Sequence, residues 1–190
     1  MSVEVIGLRE VQEQMYQVSN LLKGANPQLQ GVVWEMGVEA RANIQLMCTQ
    51  VVYNSPPSPT YQRTGYLREA IYLTTLGKTD RAEVQARAYA LAQSTYPSRK
   101  SNRTTYAMVP HTPYPSLTSV RVTSGARYSD FVEYGSRSAG PRPFMRAGLD
   151  AGRGAVVSVG AHEISRLLSE IQQRRSKIQP RTPNGRFARA

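Results

Sequence analysis

Proline placement constrains this chain more than any other feature. Pro56, Pro57 and Pro59 crowd one short stretch, and Pro97, Pro110, Pro113 and Pro115 are spread through residues 91–118. Proline lacks the amide donor and pushes the residue before it out of helical conformation. Neither stretch can carry a long helix or a central strand, so regular elements must lie before, between and after them.

Before the first break, Val3 to Ile6 reads as a short strand ending at Gly7. Leu8, Val11, Met15, Val18 and Leu22 then recur at three- and four-residue steps, the spacing of one helix face, and Gly24 closes that helix. Asn26-Pro27 reads as an N-cap and first-turn proline opening a second helix. Leu29, Val32, Val33, Met36, Ala40, Ile44, Met47 and Val51 keep its phase. Tyr53 to Thr60 is expected to be a loop.

Between the breaks, Leu67 to Leu76 is rich in β-branched and aromatic residues, and Gly77-Lys78-Thr79-Asp80 supplies a turn. In Arg81 to Ala88, Ala82, Val84, Ala86 and Ala88 alternate with Arg81, Glu83, Gln85 and Arg87, which predicts the second arm of a hairpin with one wet face. After the second break, Ser119 to Thr123 alternates as a further strand. Beyond Pro143, Met145, Leu149, Val156, Gly160, Ile164, Leu167 and Ile171 hold one helical face to about Lys177. Gly152, Gly154 and Gly160 weaken that helix, each by about 1 kcal/mol relative to alanine if exposed, and predict a bend.

At 190 residues the chain fits one domain, taken as 1–178 with 91–118 as a long loop insertion and 179–190 as an extended tail. No apolar run approaches the roughly 20 residues needed to cross a bilayer, so no membrane association is expected. Met1 to Val5 has neither a basic start nor an apolar core, so no secretory signal is expected and folding in a cytoplasm is. Cys48 is the only cysteine, which excludes an intrachain disulfide. The net charge is +11, and +6 of it falls from Arg166 onward, where seven basic residues face Glu170 alone. A segment of that kind meets a polyanion or an acidic protein surface, or stays solvated.

Enzymatic chemistry has few candidates. His111 lies in the proline-rich stretch and His162 on the last helix, with no second histidine at helical spacing. No Gly-x-Ser-x-Gly elbow precedes a helix. Gly135-Ser136-Arg137-Ser138-Ala139-Gly140 lacks the lysine of a phosphate loop. Cys48 borders an apolar stripe and reads as a small buried hydrophobe. No catalytic residue, cofactor or metal is expected.

The stretch Tyr128-Ser129-Asp130-Phe131-Val132-Glu133-Tyr134-Gly135-Ser136, followed by Pro143-Phe144-Met145-Arg146, is the most distinctive in the chain. Tyr128, Phe131 and Val132 can place apolar mass on one side of a helical turn or short strand. Glu133 can meet Arg142 or Arg146 across the loop. Gly135 permits a positive φ where the chain turns, and Pro143 suits the first turn of the last helix. Taken singly, these residues read as fold geometry rather than as a ligand site.

The pattern Tyr-small-x-aromatic-Val-Glu-x-Gly-Ser, then Pro-Phe-hydrophobic-Arg and a C-terminal helix, resembles the neck or head-tail joining family of long-tailed bacteriophages. Two further elements agree with the resemblance. Thr64-Gly65-Tyr66-Leu67-Arg68-Glu69-Ala70-Ile71 is similar to the family's segment opening its first long strand, and Val3-Glu4-Val5-Ile6-Gly7-Leu8 to its lead into the first helix. The resemblance marks Thr64, Gly65, Leu67, Tyr128, Phe131, Glu133, Gly135, Pro143 and Phe144. It implies an α+β fold, a small antiparallel sheet packed against two N-terminal helices and a long C-terminal helix. It also implies a ring of subunits, six by family habit, joining the phage head to the tail around the DNA channel. The partners implied are further copies of the chain, head-closure or adaptor proteins, tail-terminator or tail-tube proteins, and DNA passing without sequence-specific contact. The location implied is the virion neck. The 91–118 stretch exceeds the family's usual connection, and the basic tail matches no motif.

Those two departures hold the candidate subunit or partner contacts: Arg99, Lys100 and Arg103 in the first, and Arg174, Arg175, Lys177, Arg181 and Arg186 toward the second. The alternative is a nucleic-acid-binding protein, in which the basic tail and the interleaved Tyr96, Arg99, Lys100, Arg103 and Tyr106 hold phosphates. A hydrolase rests only on scattered Ser, His and acidic residues.

Overall fold

The computed structural model describes residues 27–54, 64–75, 77–95, 119–137 and 139–178, with the side chains of the last helix followed to 173. Helix α1, Pro27–Cys48, opens at the proline as its spacing predicts, because the amide that proline lacks has no intrahelical acceptor there. Val32, Gly37, Ala40, Ile44 and Cys48 form its buried line. A π-helical turn, Thr49–Tyr53, continues the element and buries Val52. Tyr53 therefore closes a helical element rather than opening a loop. The expected strand at Val3–Ile6, the helix over Leu8–Leu22, most of the 91–118 stretch and the tail from 179 lie outside the described residues.

Helix α2, Tyr66–Glu69, is a single turn that follows Gly65, whose φ is +75°. The segment expected to open a strand at Thr64 thus makes a helical turn first. Gly65 supplies the left-handed residue that starts it, and Leu67-Arg68-Glu69-Ala70 are good helix formers. Strand β1, Ile71–Thr75, follows with all five residues buried. It is the central strand, pairing antiparallel with β2, Lys78–Thr79, on one side and with β3, Arg121–Ser124, on the other. The register sets Ile71 opposite Ser124 and Thr74 opposite both Arg121 and Thr79. The strand expected at Ser119–Thr123 is present, shifted to Arg121–Ser124.

The hairpin expectation fails at Arg81. Residues Arg81–Thr95 form helix α3, not a strand, and bury Val84, Ala88 and Ala92 while Ala82 and Ala86 stay exposed. Val84 and Ala88 are four apart, so they satisfy a period of two and a helical turn equally. Alanine's preference for helix and the third contact at Ala92 decide for the helix. Asp80 ends the sheet and begins this helix. Its N–H donates to the Leu73 carbonyl, its Oδ1 accepts the Leu73 N–H at 2.7 Å, and Oδ2 pairs with Arg41 of α1.

Helix α4, Ser129–Tyr134, leads through a short loop to helix α5, Met145–Ile178, which runs 34 residues without interruption. Three of the four α5 glycines lie in a helix–helix contact, while Gly154 faces open space. Gly148, Gly152 and Gly160 are buried against Ile44, Asn43 and Met36 of α1, an order that makes the two helices antiparallel. Absent side chains let the backbones approach, and that contact offsets the low helix propensity of glycine. One apolar cluster joins α1, α2, β1 and α3 to Ala126 and to Phe144 at the head of α5. The architecture is α+β: helices packed with a small three-stranded antiparallel sheet.

Candidate functional site: the α4–α5 joint

Of the three short sequence elements that stand out, two fall among the described residues, and both pack onto the same core. In the first, Thr64 Oγ1 accepts the Tyr66 N–H at 3.3 Å, Gly65 turns left-handed, and Leu67 is buried beside Tyr66 and Ile71. The second, Tyr128 to Arg146, builds the joint between sheet and last helix.

Glu133 is the centre of that joint, with 5% of its surface exposed. The Phe144 and Met145 N–H groups donate to its Oε2 at 2.7 and 2.9 Å, and the Arg146 N–H to Oε1 at 3.2 Å. These are orphan donors at the start of a long helix, where an anion also meets the positive end of the macrodipole. The Arg146 Nε donates to Oε1 at 3.3 Å, and the guanidinium lies 5.1 Å from the Tyr134 ring centre. Burial pushes the Glu133 pKa up, but the donations from Met145, Arg146 and Phe144 outweigh it and hold the carboxyl below the ordinary glutamate value. The expected partnership with Arg146 is present; Arg142 instead donates its backbone N–H to the Val132 carbonyl at 2.7 Å.

The connecting loop is set by Gly135, at φ +86°. A Cβ there would stand 2.9 Å from the Pro141 nitrogen and 3.0 Å from the Ala139 carbonyl oxygen, so a side chain is excluded on space as well as on φ. Ser136 and Ala139 close the loop with a reciprocal backbone pair at 2.8 and 3.3 Å. Pro143 does not occupy the first turn of α5 as expected, since the helix begins at Met145. The carboxylate needs three consecutive amide donors at 144–146, and a proline must therefore stand ahead of them.

Phe131 corrects the expectation of one apolar side shared with Tyr128 and Val132. Those two pack against the core, whereas Phe131 is 64% exposed and Tyr134 65% exposed. A six-residue helix presents two faces, and the spacing of 131 and 134 puts both rings outward. Among the contact candidates, Arg174, Arg175 and Lys177 lie on the last turns of α5, where only the backbone is described. Arg99, Lys100, Arg103, Arg181 and Arg186 lie outside the described residues.

Sequence reasoning found the glutamate and missed the amides, because backbone donors leave no trace in residue type. It also missed the Lys78 ammonium 3.9 Å over the Trp34 ring, which ties β2 to α1. Cys48 is fully buried, and burial pushes its thiol pKa up to about 12 against the smaller opposing pull of Arg68. No group of three or more His, Cys, Asp or Glu residues able to hold a metal occurs among the described residues. His162 is exposed on α5. No described helix is long and apolar enough to cross a membrane. No protein-family model, curated protein or solved structure matches the chain.

Proposed function

We propose that this chain is a non-catalytic structural subunit of a long-tailed phage neck. In this reading it forms a ring that joins the head-closure or adaptor side to the tail and surrounds the exiting DNA. One observation carries the reading: the Thr64–Ile71 and Tyr128–Arg146 segments, which resemble the family's motifs, meet in one core. There the first leads into the central strand and the second locks the long helix to the sheet. Such a subunit works by geometry, and a buried carboxylate fixing three amides of a 34-residue helix supplies the rigidity that work requires. The proline-rich 91–118 stretch and the basic tail serve as docking arms toward neighbouring proteins, with 1–178 acting as one unit. Immunogold electron microscopy of purified virions tests the proposal: label at the head-tail junction supports it, and virions lacking the protein there refute it.

The +6 charge from Arg166 onward favours one other reading, nucleic-acid binding. Retention on DNA that falls steeply with salt would support it, because phosphate contacts release counterions. Absence of retention at low salt rejects it.

A further inference from the structure

The two faces of the sheet differ in kind. Val120, just ahead of β3, lies against Gly37 of α1, and Val122 stands opposite Leu73 on that same side. Alternate residues point the other way. They are Ser119, Arg121 and Thr123 from β3 and its lead, Tyr72 and Thr74 from β1, and Thr79 from β2. The Thr74 and Thr79 hydroxyls lie 3.1 Å apart, so these two share the second face. Arg81 joins it at the start of α3, where its N–H donates to Thr79 Oγ1 at 3.3 Å.

Two cations converge on this polar face. Thr123 is directly opposite Tyr72, and Arg121, opposite Thr74, is within diagonal reach of the Tyr72 side chain. Burial pushes the Tyr72 hydroxyl pKa up, while Arg81, the Thr123 hydroxyl and Arg121 pull against it, which places both guanidinium groups around that one hydroxyl. Thr123 leans toward Tyr72 without the geometry of a full hydrogen bond. It is only 9% exposed, and its Oγ1 and the Oγ of Ser119 are both buried without a hydrogen-bond partner. Buried hydroxyls of that kind are rare in folded proteins unless a bound water or ion answers them.

The acids that could answer these groups are engaged or misplaced among the described residues. Val84 to Ser129 contains no aspartate or glutamate and six basic residues. Asp80 is held by Arg41 and by the Leu73 N–H, and Glu69 by Arg68 and Arg87. Glu83 is exposed and follows Arg81 by two residues on α3, a spacing that turns the two side chains to different faces.

We propose that this second face of the sheet binds a small oxyanion of the phosphate class, with Arg81 and Arg121 supplying charge and Tyr72, Thr123 and Ser119 donating hydroxyl hydrogen bonds. Guanidinium groups match the oxygens of a tetrahedral anion in pairs, and hydroxyls complete its shell. The arginines are half-buried and reach the surface, whereas Tyr72 is 1% exposed, so the hydroxyl end of the site is recessed. A recess of this kind suits a free anion better than the backbone of a nucleic acid. The inference goes beyond the neck reading and does not depend on it.

The test uses the full-length chain and inorganic phosphate, titrated calorimetrically against sodium chloride at matched ionic strength. One phosphate should bind per chain, with a Kd of about 1 mM or tighter, and should raise the melting temperature where chloride does not. Arg121→Gln should weaken binding about 10-fold or more. Thr123→Val keeps the side-chain shape and removes a hydroxyl without a partner, so in phosphate-free buffer it should be at least as stable as the wild type. It should nonetheless bind phosphate about 5-fold more weakly or worse. This second variant keeps the test open should Arg121→Gln fail to fold. The proposal is overturned by a wild type that shows no phosphate-specific heat or stabilisation up to about 20 mM, or by wild-type affinity in either folded variant. A thymidine oligonucleotide without terminal phosphates should not displace the anion, and competitive displacement by it would overturn the assignment to a small anion.

Discussion

Gly148 of α5 lies so close to Ile44 of α1 that a Cβ on it would stand 2.6 Å from the Ile44 Cα. That neighbour is backbone, which cannot rotate away, so the two helices are held at a separation only glycine permits.

Gly148→Ala should therefore destabilise the fold by about 1–3 kcal/mol through overpacking, despite alanine's better helix propensity. Gly154→Ala, on the same helix with nothing within 4 Å of the added carbon, should stabilise by about 0.5–1 kcal/mol. Urea unfolding of the two variants checks the opposite signs. Equal effects would show that the helices do not pack at this distance.

Removing the buried cap should cost more than a surface change. Glu133→Ala leaves the amides of Phe144, Met145 and Arg146 without their acceptor and should destabilise by roughly 2–4 kcal/mol. Glu133→Gln keeps one acceptor oxygen and should lose about half as much. Denaturant midpoints for wild type and both variants test the order.

The same carboxylate makes stability depend on acidity. Its folded pKa is lowered, so in the window between the folded and unfolded values the unfolded chain binds more protons. The contribution of Glu133 is present above the unfolded glutamate value of about 4.3 and is lost as pH falls through the folded one. Urea midpoints of wild type and Glu133→Gln should therefore diverge near neutrality and converge in acid. A gap unchanged down to pH values well below the glutamate range would contradict the cap.

Cys48 should resist thiol reagents in the native state. A pKa raised from 9.0 to about 12 leaves roughly a thousandfold less thiolate at a given pH, and the side chain is fully buried besides. Labelling by a maleimide at pH 8 should be slow in buffer and rapid in urea. Fast native labelling would mean that the α1 core opens readily.

Much of the helical framework was legible from residue type. Pro27 marked the start of α1, the apolar phase after Pro143 marked α5, and the anionic Glu133 marked a partner on the far side of its loop. The misreading of Arg81–Thr95 has a definite origin. A buried line of Val84, Ala88 and Ala92 repeats every four residues, which is a multiple of the strand period, and the short window to Ala88 cannot separate the two. Phe131 was misplaced because apolar character does not say which of two faces of a short helix meets the core.

Local chemistry thus determined where elements begin, break and turn, through proline's missing donor, the positive φ of Gly65 and Gly135, and apolar spacing along the helices. Tertiary structure alone decided what those elements meet. The Gly148–Ile44 approach, the three amides gathered by Glu133 and the outward rings of Phe131 and Tyr134 each depend on groups distant in the chain or on backbone atoms. Residue type records neither, so their energies become visible only when the chain has folded back on itself.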